Sequence, residues 1–305
     1  MNVHISVMAK EIGEWLVLRP GGVYVDGTVG GGGTTRKIIE RSGNNAVVIA
    51  LDRDPEAIAL SRKNLECFQH SVKLFHGNFF HIGEFIEKSG FEQVDGIVFD
   101  LGVSSWQLDQ PERGFSFLQD GPLDMRMDTT QSLTAEELVS HLPEKELADL
   151  IFRYGEERYS RRIARSVVLA RSIGPIQTTR ALVKIIEEAV PGAYRRGRLH
   201  PATRTFQALR IAVNQELDVL EGGLRAAVKF LKVGGRLCVI SFHSLEDRIV
   251  KHTFRAMAEK GRAIVKILTK KPLLPSEEEV RQNPRARSAK LRVIERLELS
   301  EGIMP

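Results

Sequence analysis

The chain has 305 residues, 42% of them hydrophobic, and 44 Lys and Arg against 39 Asp and Glu give a formal net charge of +5. That length allows a large core in one big domain or two ordinary ones, and the mixed composition excludes a disordered or collagen-like chain. The two cysteines, Cys67 and Cys238, exclude a disulfide framework and a cysteine-based zinc site.

The first 22 residues carry acids and no uninterrupted apolar stretch, so no signal peptide is read there. No apolar run approaches the ~20 residues that span a bilayer. A cytoplasmic protein is expected. Residues 23–26 read as a strand that runs into glycine-rich 27–33, followed by a helix over 34–41. Residues 46–52 (AVVIALD) form the near-continuous apolar run of a strand buried on both faces of a parallel sheet. Pro55 suits the first turn of a helix through Leu65. A third strand over 72–75, a short helix over 82–87 and a fourth strand over 94–101 follow. This alternation predicts a doubly wound α/β sheet.

The next convincing strand, 236–241, begins 135 positions after Leu101, whereas a βαβ unit needs only about 30 residues. A helix over 217–232 can serve as the crossover, and the remainder predicts an inserted helical domain. Within it Thr134 and Glu137 have capping-box spacing, and Gly155, Gly174-Pro175 and Pro191-Gly192 read as helix stops. A helix beginning near Thr203 places Phe206, Leu209, Val213 and Leu217 on one packing face. The expected division is 1–108 with 213–305 for the sheet domain and 109–212 for the insert. A helix over 245–258, a strand over 264–268, a loop holding Pro272, Pro275 and Pro284, and a strand over 290–297 complete the chain.

Charge is unevenly spread. Residues 151–215 hold thirteen Lys and Arg against four acids, residues 251–297 thirteen against five, and the remainder is acidic. Two basic regions on an acidic chain suggest a polyanion partner, nucleic acid above all.

The loop after the first strand, DGTVGGGGT (26–34), fails the dinucleotide fingerprint: a third glycine or alanine is missing whether counting starts at Gly30 or Gly31. It also lacks the Gly-Lys-Ser/Thr of a phosphate-binding Walker loop. The pattern present, Asp26-x-Thr28-x-Gly30-x-Gly32, looks like the acidic first motif of Rossmann-like S-adenosylmethionine methyltransferases. A carboxylate there can hold an ammonium while glycine backbone admits a nucleoside. Asp52, at the end of the second strand, can accept both hydroxyls of a ribose. Phe79, in the turn after strand three, can flank a base. Asp100 closes the fourth strand at the carboxyl edge, where open α/β sheets bind ligands.

Longer segments carry a more specific resemblance. LDRDPEAI (51–58), DLGVSSWQLD (100–109), GPLDMRMD (121–128), YGEERYSRRIAR (154–165), HPATRTFQALRI (200–211), GGRLCVISFHSLEDRIVK (234–251) and NPRARSAKLR (283–292) closely resemble the MraW-type family, bacterial 16S ribosomal RNA cytosine-N4 methyltransferases. The likeness runs nearly end to end. It implies a Rossmann-like class I S-adenosylmethionine-dependent methyltransferase domain interrupted by an all-helical domain. It also implies methyl transfer to a decoding-centre cytidine of the small-subunit RNA. Cofactor contacts are implied at Gly30, Gly31, Gly32, Gly33, Thr34, Asp52, Phe79, Asp100 and Gln107. Thr34 stands where the family commonly has His, and Trp106 where it often has proline.

Asp100 is the candidate for polarising the substrate amine, with Ser104 and Ser105 as other acceptors. Carbon-5 methylation would need a thiolate, and both cysteines read as structural. The eight His show no metal-ligand spacing, so no metal is expected. RNA contact is expected at Arg195, Arg196, Arg198, His200 and Arg204, with Arg285 and Arg287 adding charge. The partner implied is 16S rRNA or the small ribosomal subunit, for a monomer or a homodimer. A non-catalytic RNA-binding or assembly protein and a nicotinamide-dependent reductase are the competing readings; the intact glycine loop with Asp52 opposes the first and the failed fingerprint the second.

Overall fold

A computed structural model describes residues 6–261 and 263–298; the first five residues of the segment read for a signal peptide lie outside them. The chain divides into two compact units, one of residues 1–102 with 217–305 and one of residues 103–216.

In the first unit the described strands form a seven-stranded sheet: β1 (Val23–Asp26), β2 (Val47–Asp52), β3 (Val72–His76), β4 (Val94–Asp100), β5 (Leu231–Ser241), β6 (Val265–Ile267) and β7 (Lys290–Arg296). Their order is β3-β2-β1-β4-β5-β7-β6, with β7 antiparallel to both neighbours and the pairs from β3 to β5 parallel. The alternation inferred from sequence therefore builds a largely parallel α/β sheet. Side chains on a strand point alternately to opposite faces, and two cores result. Ile49, Leu51, Ile97, Phe99 and Val239 pack with Leu220, Leu224 and Phe254 on one face. Val48, Ala50, Val98, Cys238 and Ile240 pack with Ile38, Ile39 and Ile58 on the other. Both faces are covered, which is why the strands read as unbroken apolar runs. Among the described residues no helix is long and apolar enough to cross a membrane.

Several elements differ from the sequence reading. The crossover helix ends at Lys229 rather than 232, and β5 begins at Leu231 rather than 236. Val94 pairs with Leu231 but Gly96 with Arg236, so two positions along β4 correspond to five along β5 and the strand bulges around Gly234-Gly235. The two glycines, read as a strand boundary, mark that bulge. The expected loop before β7 contains a helix, Glu277–Gln282, capped by Ser276 Oγ, which accepts the Glu279 N–H at 3.1 Å.

The second unit is helical, built on Ala135–His141, Glu144–Gly155, Ser160–Ile173, Thr179–Ala189 and Thr203–Asn214, with its own core of Leu147, Ile163, Leu182, Phe206 and Leu209. It extends beyond the expected 109–212 at both ends. Val103 and Leu108 pack against this core, and Val213 is buried in it, so the flanking turn and the whole of Thr203–Asn214 belong here. Asn214 fixes the 121–128 segment. Its Nδ2 donates to Met125 O at 2.7 Å and its Oδ1 accepts the Met127 N–H at 2.7 Å, beside Met125 in the left-handed region at φ 61°. Removing both bonds leaves two buried backbone groups without partners, at about 1–3 kcal/mol each. Asn214→Ala is therefore expected to destabilise the helical unit by about 3 kcal/mol, read as a lowered urea midpoint.

Candidate active site at the carboxyl edge of the sheet

Strand order reverses between β1 and β4, and the carboxyl ends of the central strands carry acids: Asp26 on β1, Asp52 on β2 and Asp100 on β4. Such a switch point is where open α/β sheets form a ligand crevice. The glycine loop leaves β1 through Gly27, whose N–H donates to Val98 O at 2.9 Å. A Cβ on Gly27 would lie 2.4 Å from the Phe99 ring, so only glycine lets the loop pass over β4. Gly32, at φ 85°, is the N-cap of the helix Gly33–Arg41 and supplies no side-chain cap. Thr34 lies buried in that first turn.

Asp26 is fully buried. Its Oδ2 accepts from Thr35 Oγ1 at 2.7 Å and its Oδ1 from the Thr28 N–H at 3.3 Å. It therefore shapes the loop from within, where the sequence reading gave it an ammonium to hold. Asp52 accepts the Asp54 N–H at 2.9 Å and the Gly30 N–H at 2.8 Å, tying the end of β2 to the glycine loop. Asp54, not Asp52, caps the helix Pro55–Asn64. The Phe79 ring lies 4.7 Å from that of Phe99, packed into the first core. Asn78 caps the turn that holds it by accepting the Phe80 N–H at 3.0 Å.

Asp100 differs from both. Its N–H donates to Thr28 Oγ1 at 2.7 Å, whereas its buried Oδ1 has no hydrogen-bond partner among the described residues. Burial pushes the carboxyls of Asp26 and Asp52 up to about 6. Burial, with the neighbouring charges of Asp26 and Glu246 and that of Glu279, pushes Asp100 up to about 8. A cation placed beside acids raised in this way would draw their protons off. A pyrophosphate would instead hold those protons in place, leaving the acids without a counter-charge. The acceptor set fits a group that carries positive charge.

Glu246 is a residue the sequence reading missed. It is buried, and its Oε2 accepts the Phe242 N–H at 2.8 Å. His243, just beyond β5, accepts the Glu246 N–H at 3.4 Å through Nδ1 and caps the helix Ser244–Met257. The His-x-x-Glu spacing was a capping-box signal, but histidine is an unusual cap and hid it. Cys238 lies inside β5 with its thiol raised by burial, so it offers no thiolate.

The remaining candidates belong to the helical unit. Gln107 is buried and completes a capping box: its Oε1 accepts the Ser104 N–H at 2.9 Å and its own N–H donates to Ser104 Oγ at 3.2 Å. The Ser104 hydroxyl is thus engaged as a helix cap. Arg195, Arg196 and Arg198 are exposed. His200 stacks on Phe117 at 4.7 Å and lies 3.3 Å from Glu187. Arg204 is half-buried and donates to Glu156 O at 2.8 Å, so part of its fork serves the local fold.

A family model described as the MraW methylase family matches residues 1–297. A protein of Pelobacter propionicus named ribosomal RNA small subunit methyltransferase H is 52% identical over 308 residues, covering 96% of this chain and 98% of its own. Proteins of the same name from Geobacter sulfurreducens and Halothermothrix orenii are 51% and 48% identical, covering 96% and 97% of this chain and 99% of each relative. Among solved structures, an rRNA methylase from Streptococcus thermophilus aligns with TM-score 0.46 and 12% identity, covering 96% of this chain and 99% of that one.

Proposed function

The chain belongs to the MraW methylase family, and from that premise we propose that it transfers a methyl group from S-adenosylmethionine to N4 of one cytidine in the decoding centre (P-site) of 16S ribosomal RNA. The observation that carries the reading is the row of acids at adjacent strand ends, with Asp100 Oδ1 without a partner among the described residues, beside a glycine loop that fails both phosphate-binding patterns. The curated relatives supply the substrate class through their shared name.

S-adenosylmethionine, when bound, supplies an electrophilic methyl group on a positively charged sulfur. The chain's own task is to align a weak nucleophile and keep water out. Gly30, Gly31, Gly32 and Gly33 with Thr34 form the backbone bed for the nucleoside, Asp52 accepts the ribose hydroxyls, and Phe79 borders the base. Asp100 ionises against the positive charge and then accepts an N4–H of the cytosine, which localises the amine lone pair and gives its proton a destination. Gln107 is the further cofactor contact that the family resemblance implies. Arg195, Arg196, Arg198, His200 and Arg204 contact the RNA, whose target base must leave its stack to be reached.

Nucleoside mass spectrometry of small-subunit RNA, mapped to position in cells with and without the gene, tests the proposal. Loss of N4-methylation at a single cytidine, restored by the purified chain with labelled S-adenosylmethionine, is the expected result. Unchanged modification, or incorporation at a ring carbon, would overturn it.

A further inference from the structure

We propose that Arg158 is a preset phosphodiester clamp for the substrate RNA, held against the faces of Tyr159 and Tyr194 in the turn between the helices Glu144–Gly155 and Ser160–Ile173. The inference rests on the RNA substrate proposed above and assigns a role within 154–165, a segment of the family resemblance to which the sequence reading gave none.

The guanidinium carbon of Arg158 lies 4.8 Å from the centroid of the Tyr159 ring and 5.0 Å from that of Tyr194. The two rings meet edge to face, 4.9 Å apart at 71°. This corner is built from beneath. Glu157 is fully buried, and its carboxylate accepts the Tyr159 N–H at 2.8 Å through one oxygen and the Tyr194 hydroxyl through the other. Burial and that carboxylate push the Tyr194 hydroxyl up to about 12, so it remains a donor at any physiological pH. The turn itself is held by the helix Thr203–Asn214: Arg204 donates to Glu156 O at 2.8 Å and Gln207 to Tyr154 O at 3.0 Å. These bonds keep Glu156 in the left-handed region at φ 48°, a conformation that needs such support.

An exposed arginine normally loses much rotamer freedom when it grips a ligand. Here the aromatic corner fixes the plane of the guanidinium beforehand, and its N–H edge remains to meet a planar pair of anionic oxygens. Because Arg158 covers the ring faces on its side, the corner offers a fork rather than a stacking surface, which favours the RNA backbone over a base. The surroundings agree. Residues 158–186 contain seven Lys and Arg and no acid. Arg161, Arg162 and Arg165 are exposed on the helix that follows, Arg162 also lying 5.9 Å from the Tyr159 centroid. Of the two acids that precede it, Glu156 is exposed and bonded through its backbone carbonyl to Arg204, and Glu157 is buried with an oxygen bonded to each tyrosine residue.

The test uses the full chain, unmodified small-subunit ribosomal RNA in filter binding at 50–200 mM salt, and a parallel titration with S-adenosylmethionine. Arg158→Ala is expected to lower RNA affinity about tenfold and to reduce the salt slope by about one phosphate contact, with S-adenosylmethionine binding unchanged. Arg158→Lys keeps the charge but neither stacks nor forks, and is expected to bind nearly as weakly as Arg158→Ala. Tyr194→Leu, which removes a ring face and leaves net charge unaltered, is expected to weaken binding as well. Lys184→Ala, an equal charge loss at an exposed position without stacking, should stay within about threefold of the parent chain. The clamp is overturned if Arg158→Ala behaves like Lys184→Ala, or if Arg158→Lys binds like the parent. A parent chain that takes up S-adenosylmethionine but no small-subunit RNA would remove the substrate reading itself, and the clamp with it.

Discussion

Asp52→Ala is expected to weaken S-adenosylmethionine binding by about a hundredfold or more in calorimetric titration, with helix content and melting largely retained. Two hydrogen bonds from ribose hydroxyls to a charged acceptor are worth about 1.5–3 kcal/mol each, and two such bonds convert to at least that factor. The carboxylate has a second duty, since it also receives the N–H groups of Gly30 and Asp54. Losing it frees the glycine loop at the point where the nucleoside would lie. Asp52→Asn keeps one acceptor oxygen and should lose less, on the order of tenfold. Equal binding by Asp52→Ala and the parent chain would place the nucleoside elsewhere.

The second large effect lies at Asp100. In the free protein its carboxyl keeps a proton up to about pH 8, and those of Asp26 and Asp52 up to about 6. All three values are raised, so the folded state binds protons that the unfolded chain has already released. The share of folding stability that these three acids contribute in the ligand-free protein is therefore fully present below about pH 4, the ordinary carboxylate value, and declines as pH rises through 6 and 8. A cation reverses the preference. Binding of S-adenosylmethionine near neutral pH should release protons, seen as a binding enthalpy that varies with the ionisation enthalpy of the buffer, and affinity should rise between pH 6 and 8. Asp100→Asn removes the largest share of that pH dependence. If Asp100 also accepts the amine proton, the same variant loses about a hundredfold or more in turnover at saturating cofactor, the usual contribution of a positioned base. Unchanged turnover together with unchanged affinity would take Asp100 out of the chemistry.

Much of this fold was legible from the sequence because both faces of the sheet are covered. Strands such as Val47–Asp52 then read as continuous apolar runs, and the acids at their ends stand out against them. The strand ends Asp26, Asp52 and Asp100 needed only that pattern. Short elements were harder to see. Glu277–Gln282 has six residues among prolines, and its Ser276 cap was masked by them. The bulge in β5 was hidden because Gly234-Gly235 carries the same signature as a turn. Nor could spacing show that Asp26 turns inward while Asp100 keeps an unpaired oxygen, or that Arg158 rests on Tyr194 thirty-six positions away, since both depend on tertiary packing.

The position of the helical unit within the chain bears on how the protein is made. During synthesis β1 to β4 emerge first, and β4 sits at the centre of the finished sheet, bonded to β1 on one side and β5 on the other. Its partner β5 begins only at Leu231, after the whole of 103–216 has been translated. At about 5–20 residues per second the ribosome needs on the order of ten seconds to cover that stretch. For that interval the nascent half-sheet presents an open edge in a strand that the finished fold buries almost throughout, the kind of edge that recruits other chains. The helical unit can mature meanwhile on its own core. Completion of the sheet, and with it the last strand end around the crevice, then becomes a late event that waits on translation.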